Sequence, residues 1–542
     1  MKSHDDLKEA IQKYAFVTSK SGVTIIGNEF TGARDEWLFD FRALLLQPHW
    51  LNRYAEIFWE MYSHKLPFQV GGMETAGIPL VAAIVMKSVE RGTPVNGFYI
   101  RKSRKRQGLM KWIEGTLTDD PIVCVDDLIN SGSSFRKQID ILSDAGKKVS
   151  DVFALLRFRD QSSYSSFQEN GVSLRSLFSL EDFGMQLLAS AKPIPDNIYE
   201  EVWKYEAPQP SFHLVVHKSA PTVDESNVYF GCDDGTFRAI DKTNGRLRWE
   251  FVTGKHPVGK GILSSPQLHK GLVYFGAYDG NVYALDAKTG NKRWTFDDAD
   301  WVGSSPDIAP SLGVLYIGLE YGLWKRRGGI VALKLDTGEM MWRAYHGALT
   351  HGSPLYIEQE GLVVIGSNDH VLYAYDAKTG TLRWKYITEG EIKMRPAYDA
   401  QHRSIIVASM DGRIYAVSAT NGAPVQVFET KFGIYGTPIV NNGIIYTASL
   451  DKCVYAIDAS SWKTKWIFET SGRIFASPTL IGSSLYIGSN DGRLYELDAE
   501  TGKMRSSFQA IERIVSKITS DDDHLYVPTV ANEIYCLKKM SK

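Results

Sequence analysis

From about residue 220 to the end of the chain, hydrophobic and polar residues alternate in short runs separated by tight turns. One unit reads VYFGAYDGNVYALDAKTGNKRWTF: an apolar run, an Asp-Gly turn, a second run, a Thr-Gly turn and a third run containing Trp. Such alternation between turns predicts antiparallel strands. The units open at prolines spaced 40 to 48 residues apart, namely Pro221, Pro266, Pro306, Pro354, Pro396, Pro438 and Pro478. A repeat near 40 residues with four short strands predicts the blades of a β-propeller.

The ends of the repeat region predict the number of blades. Seven full units precede a partial eighth unit, 516–537, that lacks a final strand. Phe212 lies nine residues before Pro221, close to the spacing found at another blade junction, so we expect residues 211–218 to supply the missing outer strand. The prediction is an all-β, eight-bladed propeller over residues 212–542, with seven blades as the alternative.

Residues 1–190 carry a different pattern, in which continuous apolar runs alternate with helical segments. The predicted strands are Phe68–Gly71, Val95–Ile100, Ile122–Val125 and Val149–Leu156, and the predicted helices are about 48–63, 78–90, 134–145 and 162–169. Continuous apolar runs are typical of buried parallel strands. The pattern predicts an α/β domain, a parallel sheet flanked by helices, with ligands at the carboxyl ends of its strands. Residues 191–211 are a proline-rich linker, in which 198–205 are expected to pack as a short helix.

Composition and charge narrow the possible partners. The chain has 542 residues, a net charge of −2 and 44% hydrophobic residues. These values are typical of a globular protein and argue against a general binder of nucleic acid or of anionic membranes. Since no apolar run approaches the length of a membrane helix and the N-terminal segment has the pattern of an amphipathic helix, we expect a cytoplasmic protein. Its four well-separated cysteines are expected to be reduced thiols without a zinc site.

The clearest candidate for chemistry is PIVCVDDLINSGSSF, residues 121–135. An apolar run ends in Asp126 and Asp127, and a small polar turn precedes a predicted helix. The turn contains Asn130, Ser131, Gly132, Ser133 and Ser134. Backbone N–H groups and hydroxyls at a helix N-terminus bind phosphate, and two carboxylates can accept hydrogen bonds from vicinal ribose hydroxyls. The segment resembles the phosphoribosyl pyrophosphate motif of the type I phosphoribosyltransferases.

Two further segments extend this resemblance to the orotate phosphoribosyltransferases. VGGMETAGIPLVAA, residues 70–83, resembles the pyrophosphate loop of that family, whose glycines permit close backbone approach to a diphosphate. FYIRKSRKRQGLMKWIEGTL, residues 98–117, resembles the mobile catalytic loop. The resemblance implies that phosphoribosyl pyrophosphate also contacts Gly71, Gly72, Met73 and Glu74. It implies a catalytic set made of Arg101, Lys102, Lys105, Asp126 and Asp127.

The same resemblance implies a base site, a metal ion and an assembly. Phe39 and Arg157 fall in segments that contact the base in this family, but the acceptor stays open because Gln107 stands where the family has a loop histidine. Mg²⁺ is expected to bridge ribose hydroxyls and diphosphate oxygens. No protein side chain is assigned as a direct metal ligand, and Asp126 and Asp127 are expected to act indirectly. A homodimer is implied by the resemblance alone.

The repeat motif A-x-D-x-x-T-G-x-x-x-W, at residues 284–294 and 374–384, resembles the tryptophan-docking motif of the pyrroloquinoline-quinone-type (PQQ-like) propellers. Quinone enzymes of that family carry a vicinal cysteine pair and metal-ligating acids near the axis, whereas this chain has no Cys-Cys pair. We therefore expect a propeller without bound quinone that serves as a scaffold for a protein or peptide.

These observations lead to one main hypothesis and two alternatives. The main hypothesis is a Mg²⁺-dependent phosphoribosyltransferase that uses phosphoribosyl pyrophosphate and a nucleobase-like nitrogen acceptor. One alternative is a non-catalytic sensor of phosphoribosyl pyrophosphate or nucleotides. The other places the function in the propeller, with the transferase fold as a passenger.

Overall fold

The computed structural model describes residues 4–18, 37–101, 112–130, 132–158, 160–164, 167–168, 170–184, 198–207, 219–254, 261–323 and 327–540. The chain divides into two compact units, Met1–Pro193 and Ile194–Lys542. The first unit combines helices with a mostly parallel sheet, and the second is built from strands. The predicted fold class is therefore confirmed.

The N-terminal unit contains α-helices, strands and short 3₁₀ or π segments. Its α-helices are α1 (Asp5–Ala10), α2 (Phe41–Leu45), α3 (Pro48–Tyr62), α4 (Gly77–Glu90) and α5 (Ser133–Asp144). Its strands are β1 (Phe16–Thr18), β2 (Trp37–Phe39), β3 (Gln69–Met73), β4 (Gly97–Ile100), β5 (Ile113–Glu114), β6 (Ile122–Ile129), β7 (Val149–Arg157) and β8 (Ser173–Ser179). A π-helix spans Ile11–Ala15, and 3₁₀ helices span Ser63–Lys65, Gln161–Tyr164 and Leu180–Phe183.

Six of these strands form one sheet in the order β5-β4-β3-β6-β7-β8. Its neighbouring pairs are parallel, except that β5 runs antiparallel to β4. The helix α3 places Tyr54, Phe58 and Tyr62 on one face because residues four apart lie on the same side of a helix, and all three are buried. The four predicted strands and the first three predicted helices are confirmed within a few residues. Of the predicted helix 162–169, the described part begins as the 3₁₀ helix Gln161–Tyr164 instead.

The second unit consists of eight four-stranded antiparallel sheets. Blades one to four contain β10 (Thr222–Val223), β11 (Asn227–Gly231), β12 (Thr236–Asp241), β13 (Leu247–Val252), β14 (Gln267–His269), β15 (Leu272–Gly276), β16 (Val282–Asp286), β17 (Lys292–Phe296), β18 (Asp307–Ala309), β19 (Val314–Tyr321), β20 (Arg327–Lys334), β21 (Met340–His346), β22 (Leu355–Ile357), β23 (Leu362–Gly366), β24 (Val371–Asp376) and β25 (Leu382–Ile387). Blades five to seven contain β26 (Ala397–Asp399), β27 (Ser404–Ala408), β28 (Arg413–Ser418), β29 (Pro424–Glu429), β30 (Ile439–Asn441), β31 (Ile444–Ala448), β32 (Cys453–Asp458), β33 (Thr464–Glu469), β34 (Thr479–Ile481), β35 (Ser484–Gly488), β36 (Arg493–Asp498) and β37 (Met504–Gln509). A 3₁₀ helix spans Glu358–Glu360.

The eighth blade joins the two ends of the unit. It contains β38 (Thr519–Ser520), β39 (His524–Pro528) and β40 (Glu533–Lys539), and its outer strand is β9 (Tyr199–Glu206). The prediction that residues 211–218 complete this blade is therefore wrong, and those residues lie outside the described part of the chain. The short helix predicted for 198–205 is also wrong, since this segment pairs with β40 as an antiparallel strand.

A contact that recurs between blades explains why β9 forms the outer strand of the eighth blade. An outer-strand tryptophan lies against a glycine in the turn of the next blade, and its Nε1 donates to a backbone carbonyl near that turn. The tryptophan–glycine pairs are Trp203–Gly245, Trp249–Gly290, Trp294–Gly338, Trp342–Gly380, Trp384–Gly422 and Trp466–Gly502. A Cβ on any of these glycines would lie 2.5 to 2.7 Å from the indole ring. Trp203 makes this contact from β9, so the segment predicted as a linker carries the docking residue of the last blade.

Blade five lacks the docking tryptophan, and blade six lacks the glycine that would receive it. Gln426 pairs with Ala416 at the register position that Trp384 occupies opposite Ala374 in blade four. The corresponding turn of blade six has Trp462, at φ of 56°, instead of glycine. Because no tryptophan arrives from blade five, this turn can hold a large side chain.

The described residues also bear on membrane helices, metal clusters and disulfide bonds. In the described ranges, no helix is long and apolar enough to cross a bilayer. Those ranges also hold no cluster of three or more His, Cys, Asp or Glu side chains that could bind a metal ion. Cys124, Cys232, Cys453 and Cys536 are all free of disulfide bonds.

Candidate active site

The parallel strands bring several predicted site residues to one edge of the N-terminal sheet. Strand β3 pairs with β4 on one side and with β6 on the other, and β7 lies beyond β6. Glu74 and Arg101 directly follow β3 and β4, and Arg157 ends β7. Asp126 and Asp127 lie in the carboxyl-terminal half of β6. Residues far apart in sequence therefore meet where α/β sheets commonly bind ligands.

Asp126 and Asp127 form the polar centre of this edge. Asp126 is buried, and its Oδ1 accepts a hydrogen bond from the Asp127 backbone N–H at 3.0 Å. The Asp127 Oδ1 accepts one from the Leu128 N–H at 2.8 Å. Burial raises the pKa of Asp126 well above its ordinary value, and the charge of Asp127 raises it further. Burial also raises the pKa of Asp127. A buried carboxylate beside a second, partly buried one favours ligands that bring hydroxyl donors or positive charge.

The turn between β6 and α5 lies directly against this acid pair. Ser134 Oγ donates a hydrogen bond to Asp126 Oδ2 at 3.2 Å, which ties the first turn of α5 to the end of β6. Gly132 has φ of 79°, a left-handed conformation that strains other residues, and a Cβ there would lie 3.0 Å from the Phe167 ring. Asn130 precedes this turn, whereas Ser131 and the side chain of Ser133 lie outside the described atoms.

The glycines of the predicted pyrophosphate loop allow close packing at the end of β3. A Cβ on Gly77, the first residue of α4, would lie 2.7 Å from the carbonyl carbon of Gly72. A Cβ on Gly71 would lie 2.4 Å from the ring of Phe98. Met73, which is buried, follows in β3, and its Sδ lies 3.7 Å from Ser134 Oγ. The structure therefore places this loop beside the turn that opens α5.

The predicted diphosphate-binding cations are described only in part. The Arg101 backbone N–H donates to the Trp112 carbonyl at 2.8 Å, and its guanidinium forms an ion pair with Glu114 at 3.5 Å. This pair holds Arg101 at the end of β4. Lys102 and Lys105 lie outside the described residues, so their roles stay predictions.

The two residues predicted at the base site lie in different surroundings. Arg157 ends β7, where it pairs with Ser179 of β8 and lies next to Ile129 of β6. Phe39 is buried, and its ring stacks on Phe41 with centroids 5.7 Å apart. The ring also packs against two other phenylalanines, Phe158 and Phe183. Phe39 therefore belongs to an aromatic core cluster, and its contact with a base stays a prediction.

Comparisons with known proteins assign each unit. The N-terminal unit is similar to orotate phosphoribosyltransferase of Bradyrhizobium sp. (strain ORS 278), with 30% identity over 158 residues that cover 28% of this chain and 85% of that relative. The orotate phosphoribosyltransferase of Rhodopirellula baltica is 31% identical over 122 residues, which cover 22% of this chain and 63% of that relative. The family model described as outer membrane protein assembly factor BamB matches residues 200–300, 326–425 and 411–513, more than half of the chain. The chain belongs to both families.

Solved structures also resemble the BamB-type unit. BamB from Moraxella catarrhalis has a TM-score of 0.51 at 18% identity, covering 63% of this chain and 97% of that chain. Quinohemoprotein alcohol dehydrogenase from Comamonas testosteroni has a TM-score of 0.53 at 16% identity, covering 64% of this chain and 77% of that chain. At these identities the likeness shows the propeller fold alone.

Two tyrosines of the orotate phosphoribosyltransferase unit support the site without standing out in the sequence. Tyr164 OH donates to the carbonyls of Ile129 and Asn130, at 3.1 and 2.8 Å, and so holds the start of the turn between β6 and α5. Tyr54 of α3 is fully buried, and burial raises its pKa well above the ordinary value, with a further contribution from Asp126. The signal for Tyr54 is a hydroxyl on the apolar face of a helix, and nothing local marks Tyr164.

Proposed function

We propose that the N-terminal unit is a Mg²⁺-dependent phosphoribosyltransferase that joins the phosphoribosyl group of phosphoribosyl pyrophosphate to a ring nitrogen of a nucleobase-like acceptor. The observation that carries this proposal is the adjacent Asp126–Asp127 pair, in which Asp126 is buried and accepts a hydrogen bond from Ser134 in the turn that opens α5. The family membership supports the reaction class.

Each part of the substrate has a matching part of the site. The turn Asn130–Ser134 offers backbone N–H groups and hydroxyls to the 5′-phosphate. The Asp126–Asp127 pair accepts hydrogen bonds from the two ribose hydroxyls. These bonds stabilise the charged carboxylates against burial and the charge of Asp127, which together raise the pKa of Asp126. The glycine loop at the end of β3 leaves room for the diphosphate backbone.

The chemical step breaks the bond between C1 and the diphosphate oxygen and forms a bond between C1 and the acceptor nitrogen. The diphosphate leaves with the electron pair of the broken bond, so positive charge develops on the ribose ring. Catalysis then rests on positioning and on neutralising the leaving group. Arg101, Lys102 and Lys105 are proposed to bind the diphosphate, and Phe39 and Arg157 to contact the acceptor.

The donor set fits Mg²⁺ held largely through water and substrate oxygens. Asp126 and Asp127 are adjacent carboxylates, and their raised pKa values show that nearby positive charge would be favourable. Bound Mg²⁺ would neutralise negative charge on the diphosphate. The two carboxylates would orient its water ligands.

For the propeller we propose a role as a binding scaffold for a protein or peptide, without quinone. Closed propellers present rigid faces and loops for such contacts, and the tryptophan contacts between blades hold those faces together. We also propose a cytoplasmic location and a homodimer formed through the transferase unit, the latter on the family resemblance.

The test measures diphosphate release from phosphoribosyl pyrophosphate across a panel of purine, pyrimidine and pyridine bases. Lys105→Ala should lower kcat/KM by about 30- to 1000-fold, because one contact to the leaving group is worth about 2–4 kcal/mol. The matched control is Lys148→Ala, an exposed lysine just before β7 and away from the strand ends that form the site. Binding of phosphoribosyl pyrophosphate with no turnover on any base would reject the transferase and support the sensor.

A further inference from the structure

The propeller contains a cavity of about 490 Å³ on its axis. All eight blades contribute to its walls, which is possible only for a cavity at the centre of the ring. This volume lies within the range of small-molecule sites. Among the described residues that line it, four are basic, and none is a carboxylate. The basic residues are His351, Lys393, Arg395 and Lys517.

Most blades place a small residue at one repeated position beside this cavity, just before the inner strand. In four blades it is a serine, whose hydroxyl accepts a hydrogen bond from the backbone of the preceding blade. Ser265 Oγ accepts from the Ala220 N–H at 2.9 Å, and Ser305 Oγ accepts from the Ser265 N–H at 2.8 Å. Ser353 and Ser477 repeat the contact. The repeat therefore uses small hydroxyls here to join blades.

Blades five and eight place cations at this position. Arg395 stands before Pro396 where other blades have serine, and Lys517 stands at the equivalent point before β38. Neither side chain can reproduce the serine contact, since a cationic group has no acceptor. Arg395 instead donates to the Pro306 carbonyl of blade three at 2.7 Å. Both residues add positive charge to the cavity where serines supply only hydroxyls.

The nearby acids neutralise most of this charge but not all of it. Arg395 pairs with Asp307 at 3.3 Å, Lys393 pairs with Glu391 at 2.7 Å, and His351 lies 3.1 Å from the fully buried Glu320. For Lys517, no carboxylate lies within 4.0 Å in the part of the chain that the structure describes. Its ammonium group, with three donors, thus faces the cavity without an anionic partner there.

Two features of its surroundings act against the positive charge of Lys517. The Lys517 side chain lines the cavity, and the surrounding protein walls keep it from bulk water. This loss of bulk water lowers its pKa. The positive charge of Arg395 lowers it further. Tyr278 and Tyr435 line the same cavity and bring hydroxyl groups. Burial, with smaller effects of Glu391 and Glu320, raises the pKa of Tyr435 to about 12, so it remains a neutral donor.

We propose that the axial cavity of the propeller binds a small multivalent oxyanion between Lys517 and Arg395. An anion there would supply the partner that Lys517 lacks, and charge-assisted hydrogen bonds of this kind are among the stronger polar contacts. The shared chemistry is a phosphate or carboxylate group that carries at least two negative charges. The site lies wholly within the propeller and is separate from the diphosphate site proposed for the transferase unit.

The test is calorimetric titration of the full chain at low ionic strength with inorganic diphosphate and, separately, with citrate. We expect one site for citrate, and for diphosphate one site in the cavity besides the proposed transferase site. Lys517→Met should weaken binding in the cavity at least tenfold, since a charged hydrogen bond is worth at least that factor. Lys385→Met makes the same change on an exposed position of β25 and should leave binding intact. Lys517→Arg, which keeps the charge, should retain binding and shows that loss in the methionine variant is not misfolding.

The two ligands separate the possible sources of the anion. Stronger binding of diphosphate assigns the cavity to phosphorylated ligands, and stronger binding of citrate assigns it to polycarboxylates. Diphosphate bound at the transferase site is recognised because Lys105→Ala weakens it and Lys517→Met does not. The proposal is overturned if neither ligand binds, or if Lys517→Met binds both as tightly as the unchanged chain.

Discussion

The close approach of Gly72 and Gly77 predicts a large effect of adding one methyl group. In Gly77→Ala the new Cβ would lie 2.7 Å from the Gly72 carbonyl carbon and 2.8 Å from its Cα. Carbon atoms in favourable contact are about 3.5–4.0 Å apart, so the two segments must separate by about 1 Å. Both atoms belong to the backbone, and no change of rotamer can relieve the contact.

Gly77→Ala should lower both the folding stability of the unit and its activity on phosphoribosyl pyrophosphate. Overpacking of this kind costs about 1–3 kcal/mol of folding free energy. The displacement also moves the N-terminus of α4 away from the end of β3, where the diphosphate is proposed to bind. Since an error of about 1 Å in positioning can cost on the order of 100-fold in rate, we expect kcat/KM for phosphoribosyl pyrophosphate to fall by about that factor.

The assay combines diphosphate release with thermal unfolding of the full chain. Gly92→Ala is the matched control, because Gly92 has φ of 70° at the far end of α4 and a Cβ there would meet no atom within 4 Å. It should lose about 1–2 kcal/mol through backbone strain and keep its activity. If Gly77→Ala retains kcat/KM within about twofold of the unchanged chain, the glycine contact does not shape the site and the reasoning fails.

Two further predictions concern the acid pair and the blades. Asp126→Asn should abolish turnover yet raise the unfolding midpoint of the N-terminal unit at pH 7, because it removes a buried carboxylate beside another. A raised pKa means that the folded state binds the proton more tightly than the unfolded state. The unchanged chain therefore gains stability as the pH falls towards the ordinary pKa of about 4, and the stability advantage of Asp126→Asn should shrink there. An equal advantage at pH 4 and pH 7 would contradict this. Gln426→Trp should destabilise the propeller, because Trp462 occupies the place of the docking glycine. In a Trp462→Gly background, Gln426→Trp should stabilise the propeller instead. The two substitutions should then show a coupling free energy of about 0.5–3 kcal/mol in urea unfolding. Additive shifts of the urea midpoints would show that a tryptophan in one blade does not require a glycine in the next.

Features written into neighbouring residues could be predicted from the sequence. Alternation between Asp-Gly and Thr-Gly turns indicates the blades, and the apolar run that ends in Asp126 and Asp127 indicates a strand, a turn and a helix, observed as β6 and α5. These predictions succeed because hairpins and helix starts depend on contacts within a few residues. The identity of the acceptor base could not be predicted in this way, because the chain matches the family only partly at the positions that contact the base.

Features that depend on contacts between distant segments required the tertiary structure. The pairing of β9 with β40 decides which segment closes the propeller, although Trp203 carries the docking signal in an otherwise linker-like stretch. Tyr164 reaches the start of the turn between β6 and α5 only because the chain folds back after β7. Arg395 and Lys517 are more than a hundred residues apart and meet on the axis because closure of the ring brings every inner strand there. Local sequence determined the elements and their chemistry, whereas ring closure and sheet order decided which side chains share a site, because such contacts form only when the whole chain is folded.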